Sequence, residues 1–376
     1  MRISPIAKTR RTSRSLPFAL TIFTALALVS AIISPAFSVA AQDAAQAPQT
    51  PTVYRTPYDF TGDARSDFAN VSFDAASPGT PITWKVLRNP ANPAPGAAFI
   101  RIFDYGVSGD SLTPADYTGD SKTELSVWRT GQFINAPFPE GTGPVGPLTF
   151  DNWGNAAGDN LGRVGDYDGD GKDDEVVVRV TGGILNWYIK KSSGGTQVTP
   201  FGRVITGLTT LAFQGADFDG DGRDELVMAN VSASNGSNTW WIGDSLTGQV
   251  KLTLSYGNWV TDYFLSPDDF TGDGKADLVA YRAGGSDADA GGWYIRDTAT
   301  GAVSLTIFGL PDPAFTNEDI PVRGNFDGDN RADICVFRRQ TKTYYWIPSA
   351  GGGVQAQQWG NPNDANELPI GAFFNF

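Results

Sequence analysis

Asp166-Tyr-Asp-Gly-Asp-Gly-Lys-Asp-Asp174 decides how this chain is read, because it recurs. Copies stand at Asp59-Phe-Thr-Gly-Asp-Ala-Arg-Ser-Asp67, Asp116-Tyr-Thr-Gly-Asp-Ser-Lys-Thr-Glu124 and Asp217-Phe-Asp-Gly-Asp-Gly-Arg-Asp-Glu225. Two more are Asp269-Phe-Thr-Gly-Asp-Gly-Lys-Ala-Asp277 and Asn325-Phe-Asp-Gly-Asp-Asn-Arg-Ala-Asp333. Their starts are 57, 50, 51, 52 and 56 residues apart. A period in this range marks a repeat architecture and outranks any local assignment.

Each nonapeptide runs into a short apolar strand B, such as Leu125-Ser-Val-Trp128 or Ile334-Cys-Val-Phe337. An aromatic strand C follows, as in Ile82-Thr-Trp-Lys-Val86, Asn186-Trp-Tyr-Ile189, Thr239-Trp-Trp-Ile242, Gly292-Trp-Tyr-Ile295 and Tyr344-Tyr-Trp-Ile347, with Phe133 in the second copy. Strand D ends in an aromatic–glycine pair: Tyr105-Gly106, Trp153-Gly154, Phe201-Gly202, Tyr256-Gly257, Phe308-Gly309 and Trp359-Gly360. A short strand A then enters the next acidic loop. Four antiparallel strands per unit predict a propeller blade, and such units bury both faces only by stacking around an axis. The segment Leu368-Pro-Ile-Gly-Ala-Phe-Phe-Asn-Phe376 resembles a strand A without its loop, so strand A is expected seven times and strands B to D six. Such a spare strand would latch the first blade to the last and remove exposed edges. The expected fold is all-β, a six-bladed propeller, with seven blades, one incomplete, as the alternative.

The loop chemistry points to a hard cation. Oxygen donors stand at position one (Asp59, Asp116, Asp166, Asp217, Asp269, Asn325) and position three (Thr61, Thr118, Asp168, Asp219, Thr271, Asp327). They recur at position five (Asp63, Asp120, Asp170, Asp221, Asp273, Asp329) and position nine (Asp67, Glu124, Asp174, Glu225, Asp277, Asp333). With a backbone carbonyl from position seven (Arg65, Lys122, Lys172, Arg223, Lys275, Arg331) and water, these supply the six to eight oxygens calcium takes. The basic side chains at seven are expected to point outward. Position six needs a left-handed backbone, which glycine adopts freely in loops three to five and Asn330 tolerates. At Ala64 and Ser121 it costs about 1 kcal/mol, so up to six calcium ions are expected, bound best by loops three and four.

Two rival readings of the loop fit its residues less well. A helical calcium loop needs a bidentate Glu at position twelve, where this chain has Asn70, Val127, Val177, Met228, Ala280 and Val336. A plain Asp-Gly hairpin explains the glycine at four but not the acids at nine. Twenty of the 41 acidic residues occupy positions one, three, five and nine, and clustering like charge without an ion is costly.

On these residues the chain resembles the FG-GAP or VCBS repeat proteins, propellers of the integrin α-chain type that also occur as exported bacterial proteins. The resemblance covers residues 53–376 and implies calcium in the hairpin between strands A and B. Asn325 at position one and threonine at three in three copies depart from its pattern.

Before the repeats, five basic residues precede an apolar run from Leu16 to about Ile33 and the small residues Val39-Ala40-Ala41. That order reads as a signal peptide over 1–41, cleaved near Ala41, in preference to a membrane anchor, because the apolar run is interrupted. Residues 42–52 read as a flexible stem, and no membrane span is expected after cleavage. The expected location is secreted, periplasmic or cell-surface. A lipid anchor is not expected, since the only thiol is Cys335.

Without the leader, 23 basic residues face 41 acids, a net charge of −18 that six calcium ions would bring to −6. Nucleic acid is an unfavourable partner for such a chain. The absence of histidine removes Ser-His-Asp, Cys-His and His-zinc chemistry, and one cysteine removes intrachain disulfides.

The function expected is a monomeric binding or adhesion module, with structural calcium and a protein or glycan ligand. The face opposite the calcium loops is the expected ligand surface, on Asp74–Thr80, Ser232–Asn238, Ala283–Gly291 and Leu310–Asp319. The strand-C tryptophans leave open a carbohydrate-binding lectin, with Trp240-Trp241 the first pair to test, although blade packing is their commoner use. A polysaccharide lyase or glycosidase is the second alternative, resting only on the supply of carboxylates. No catalytic residue is marked out.

Overall fold

Because strand B is apolar on both sides in every repeat, each blade must be covered on two faces, and the chain meets that demand by forming a ring. The computed structural model describes residues 54–371 except 90–99, 140, 142, 156–157, 162, 283–289 and 311–318. The leader, the stem and residues 372–376 lie outside the described residues, as do most of the two ligand-face loops after Arg282 and Leu310.

Six sheets of four antiparallel strands are present, and among the described residues there is no helix. Blade two comprises Ser111–Leu112, Leu125–Arg129, Gln132–Ala136 and Thr149–Asn152 as strands A to D. Blade three comprises Asp159–Leu161, Glu175–Thr181, Ile184–Lys190 and Thr196–Arg203. Blade four has Thr209–Ala216, Glu225–Val231, Ser237–Gly243 and Val250–Asn258, and blade five Asp262–Phe264, Leu278–Arg282, Gly292–Arg296 and Val303–Ile307. Blade six has Asp319–Val322, Ile334–Arg338, Thr343–Ile347 and Gln355–Gln358.

Blade one closes the ring. Its strands B to D are Phe68–Ser72, Pro81–Leu87 and Ile100–Val107, and its strand A is the C-terminal Glu367–Pro369, paired antiparallel as Asn70↔Pro369 and Ser72↔Glu367. The latch expected from sequence is there. The seventh strand A is not: residues 54–58, ahead of the first loop, form no strand. Two chain segments cannot pair with the same edge of strand B, and the C-terminal one takes it.

Between blades, the aromatic–glycine pair is the joint. All six of its glycines have positive φ, from 73° at Gly257 to 131° at Gly360. A Cβ on Gly106, Gly154, Gly202 or Gly309 would stand 2.1–3.2 Å from Val127, Val177, Met228 or Val336 of the next blade. Those are position-twelve residues of the acidic loops. The aromatic ring reaches the next strand C: Tyr105 donates to Ile134 O, Trp153 to Tyr188 O, Tyr256 to Tyr294 O and Trp359 to Lys85 O.

The strand-C tryptophans Trp84, Trp187, Trp240 and Trp293 are at most 1 % exposed. Three donate Nε1 to their own blade's aromatic–glycine carbonyl, at Tyr105, Phe201 and Tyr256. None of the ten tryptophans is exposed, and Trp241 packs half-buried against the blade-three core. Trp84, Trp187, Trp240 and Trp293 are therefore blade core, since a flat apolar ring is what two stacked sheets need between them.

Candidate metal centre

The acidic loops fold by a shared set of hydrogen bonds, one of which loop six lacks. The position-one side chain accepts the position-four amide through Oδ1, at 2.5–2.7 Å in all six. In loops one to five its Oδ2 also accepts the position-six amide, at 2.7–2.9 Å. Loop six cannot repeat this, because Asn325 turns an amide nitrogen where a second oxygen is needed. That Nδ2 is buried with no hydrogen-bond partner. Position five accepts the position-seven amide in all six loops, and position nine accepts the position-two amide.

The backbone follows the expected path. Position six is left-handed throughout, with φ of 63° at Ala64, 65° at Ser121, 87° at Gly171 and Gly222, 80° at Gly274 and 67° at Asn330. Position four is left-handed as well, at 75–80°. There the glycine does more than turn the chain. The stem of each position-seven side chain lies over the position-four glycine of the preceding loop: Lys122 on Gly62, Lys172 on Gly119, Arg223 on Gly169, Lys275 on Gly220, Arg331 on Gly272 and Arg65 on Gly328. The outward orientation expected for these six is thus corrected. They lie sideways and half-buried, because a glycine shelf beside them accepts their methylenes.

Position eight completes the stitching. Its amide donates to the position-one carbonyl of the preceding loop at 2.7–2.8 Å, from Ser66, Thr123, Asp173, Asp224, Ala276 and Ala332 to Asn325, Asp59, Asp116, Asp166, Asp217 and Asp269. Six such bonds close a circle around the axis.

Carboxylate oxygens converge within 4.8 Å of one another in three loops: Asp116, Asp120 and Glu124; Asp166, Asp168 and Asp174; Asp217, Asp219 and Glu225. Asp170 and Asp221 stand apart. Asp170 accepts from Ser192 Oγ at 2.8 Å and Asp221 is paired with Arg223. Loop four also holds a cation already, for Lys251 Nζ lies 2.6 Å from both Asp219 and Glu225. In loop one, Arg88 Nε is 3.0 Å from Asp63. Loops one, five and six bring no such trio together among the described residues.

Burial opposes ionisation at position nine in every loop. It pushes Asp67 and Glu225 up to about 8, Glu124, Asp174 and Asp277 to about 7, and Asp333 to about 6. Among the described donor positions of the loops, three buried oxygens have no hydrogen-bond partner, namely Thr61 Oγ1, Asp168 Oδ1 and Asp277 Oδ1. All three belong to positions three or nine. Loops between strands C and D share this face, since Asn89, Ser192 and Ser349 donate backbone amides to Asp67, Asp174 and Asp333.

The sequence reading missed the opposite end of the blades. There an acid at strand A and an arginine at or near the end of strand B form forked pairs: Asp110–Arg129, Asp159–Arg179, Asp262–Arg282 and Asp319–Arg338, at 2.5–2.9 Å. Each carboxylate is at most 1 % exposed. An arginine after the strand-B run in four repeats was the available signal.

Comparison with known proteins agrees on the repeat. The FG-GAP-like repeat family matches residues 166–228 and 217–280. No curated protein matches the chain significantly. Among solved structures, the chain is similar to an Agrocybe aegerita lectin described as recognising non-reducing terminal N-acetylglucosamine, at 15 % identity and a TM-score of 0.45, with 78 % of this chain and 90 % of that one covered. It is also similar to a Bacteroides caccae protein of unknown function, at 11 % identity and a TM-score of 0.41, with 81 % and 99 % covered.

Proposed function

We propose that this chain, a six-bladed propeller built of FG-GAP-like repeats, is an exported binding module in which calcium is a structural ion of the loops joining strands A and B. The observation that carries the metal reading is the set of partnerless buried oxygens, Thr61 Oγ1, Asp168 Oδ1 and Asp277 Oδ1, at positions whose chemistry suits a hard cation. Buried polar atoms without partners are rare in proteins, and a bound ion or water is one of the reasons for them. The raised position-nine carboxylates support the same reading, because a divalent ion among them would reverse the cost of ionising them.

When bound, the ion would supply charge neutralisation and cross-linking. The chain's own part is to preset the oxygens through the position-one and position-nine hydrogen bonds. Ligand recognition belongs to the other face, on loops such as Asp74–Thr80 and Ser232–Asn238, because the metal-loop face is taken up by stitching one loop to the next.

Thermal unfolding with calcium and with chelator tests the metal reading. The melting temperature should rise in calcium and fall on chelation, and equal melting temperatures would overturn it. Substituting Asp74–Thr80 and Ser232–Asn238 should abolish binding of a ligand isolated with the wild-type protein, whereas unaltered binding would refute the assignment of the face.

A further inference from the structure

Position-eight side chains are not in the metal set, and three of them face the axis. Asp173 Oδ2 accepts the Asp116 amide at 2.8 Å, while its Oδ1 accepts from Arg55 Nη1 at 3.0 Å. Asp224 Oδ2 accepts the Asp166 amide at 3.0 Å and lies 3.5 Å from Arg55 Nη2. Asp166 Oδ2 is 3.9 Å from Arg55 Nη1. Ser66 Oγ accepts the Asn325 amide at 2.8 Å and donates to the Pro57 carbonyl at 2.6 Å.

The segment carrying Arg55 is held elsewhere too. Thr56 Oγ1 donates to Ala64 O at 3.3 Å, and the Asp67 amide donates to Tyr58 O at 3.0 Å. The buried Tyr54 hydroxyl lies in the field of the Arg323–Asp268 pair, whose Nε–Oδ2 distance is 2.6 Å. A stretch that meets loops one, three and four and the ends of strand A in blades five and six lies across the axis. The remaining position-eight residues are Thr123, Ala276 and Ala332, so the only acids at that position are the two that Arg55 reaches.

We infer that the axial side of loops three and four is a guanidinium-binding site occupied by this chain's own Arg55, which makes residues 54–58 a built-in ligand pinning the loops to one another across the axis. A planar fork suits this task, because its two terminal nitrogens address two carboxylates at once, and a lysine ammonium has no such geometry. The Arg55 side chain is 30 % exposed, so the pairing is partly shielded from water.

Arg55 also lies 3.9 Å from Asp166 of the metal set, but the two short contacts go to Asp173 and Asp224, which are not loop ligands, so the site can be tested apart from the calcium reading. Hydrogen exchange of the full chain, followed over residues 54–58 with calcium and again with chelator, tests it. Arg55→Ala should speed exchange there severalfold and lower the melting temperature in both conditions, with Arg55→Lys restoring only part. Asp173→Asn/Asp224→Asn keeps acceptors for the Asp116 and Asp166 amides but removes the charge. It should reproduce the effect, and adding Arg55→Ala should change nothing more. Wild-type exchange rates in Arg55→Ala would overturn the proposal, as would independent, additive effects of the two sets. If the double aspartate variant does not fold, Arg55→Lys against the wild type decides, and an Arg55→Lys variant indistinguishable from the wild type would refute the forked site.

Discussion

Glycine at position four of the acidic loop has two duties that one substitution can separate. Gly169 has φ 79° and Gly171, two residues on, has φ 87°. A Cβ at Gly169 would stand 2.6 Å from Arg223 Cγ, whereas nothing lies within 4 Å of one at Gly171. Both alanine variants pay the left-handed penalty of about 1 kcal/mol. Only Gly169→Ala must also lift the Arg223 stem from its shelf, and the contact is at Cγ, near the backbone, where a side chain cannot swing aside. Chemical denaturation should therefore show Gly169→Ala less stable than Gly171→Ala. Equal losses would mean that the shelf contributes nothing. The left-handed turn at six was readable from Gly, Asn, Ala and Ser standing there. The shelf was not, because it joins residues of different repeats, and no periodicity within one repeat reveals its neighbour's reach.

Within an element the question is what the loop's charges face. Lys251, from strand D of blade four, sits between Asp219 and Glu225, with the Glu225 side chain 1 % exposed. Its ammonium does in the fourth loop what an ion would do, so the loop expected from sequence to be among the strongest has a competitor for its site. Lys251→Met should lower the melting temperature in chelator, because a buried carboxylate loses its partner. In calcium the deficit should shrink, since the vacated oxygens are free for the ion. A deficit unchanged by calcium would exclude metal from loop four. A second element-scale test concerns the blade joint. Tyr256→Phe removes the hydroxyl that donates to Tyr294 O at 2.6 Å and should cost about 1 kcal/mol. Phe201 and Phe308 occupy the same place in two other blades, so the fold should survive. The aromatic–glycine pair was visible in the sequence as a strand end. Its role as a hinge between blades was not, for the glycine's meaning lies in the Val127-type side chain it admits from the next repeat.

Ring closure is the property that no single blade contains. Six repeats with a spare strand at the C-terminus allowed the latch to be read in advance, and Glu367–Pro369 fills that place. What remained hidden was the N-terminal segment, whose sequence offered a competing strand A and whose residues 54–58 instead lie across the axis. The lock on the latch was hidden for a similar reason, because it departs from the pattern of blades two, three, five and six. Four blades join strands A and B by a forked Asp–Arg pair, but blade one has Ser72 opposite Glu367. The missing arginine is replaced from strand C: Lys85 Nζ is 2.5 Å from Glu367 Oε2, Asn70 donates to Oε1 at 2.7 Å and the Asn361 amide to Oε2 at 2.9 Å. Glu367 is 0 % exposed, and Lys85 is the cation paired with its carboxylate. Lys85→Met leaves that carboxylate buried with neutral donors alone, a change that typically costs about 3 kcal/mol or more. Because Glu367 sits on the strand that holds the ends together, the loss should appear first as opening of the ring, with limited proteolysis cutting around blade one at temperatures where the other blades resist. Glu367→Gln retains acceptor and donor capacity and removes the charge, so Lys85→Met/Glu367→Gln should recover most of the stability lost in Lys85→Met. If the double variant is no more stable than Lys85→Met, the lock is the packing of Lys85 rather than its charge. If Lys85→Met is cut evenly among all six blades, the latch is not where the ring is weakest.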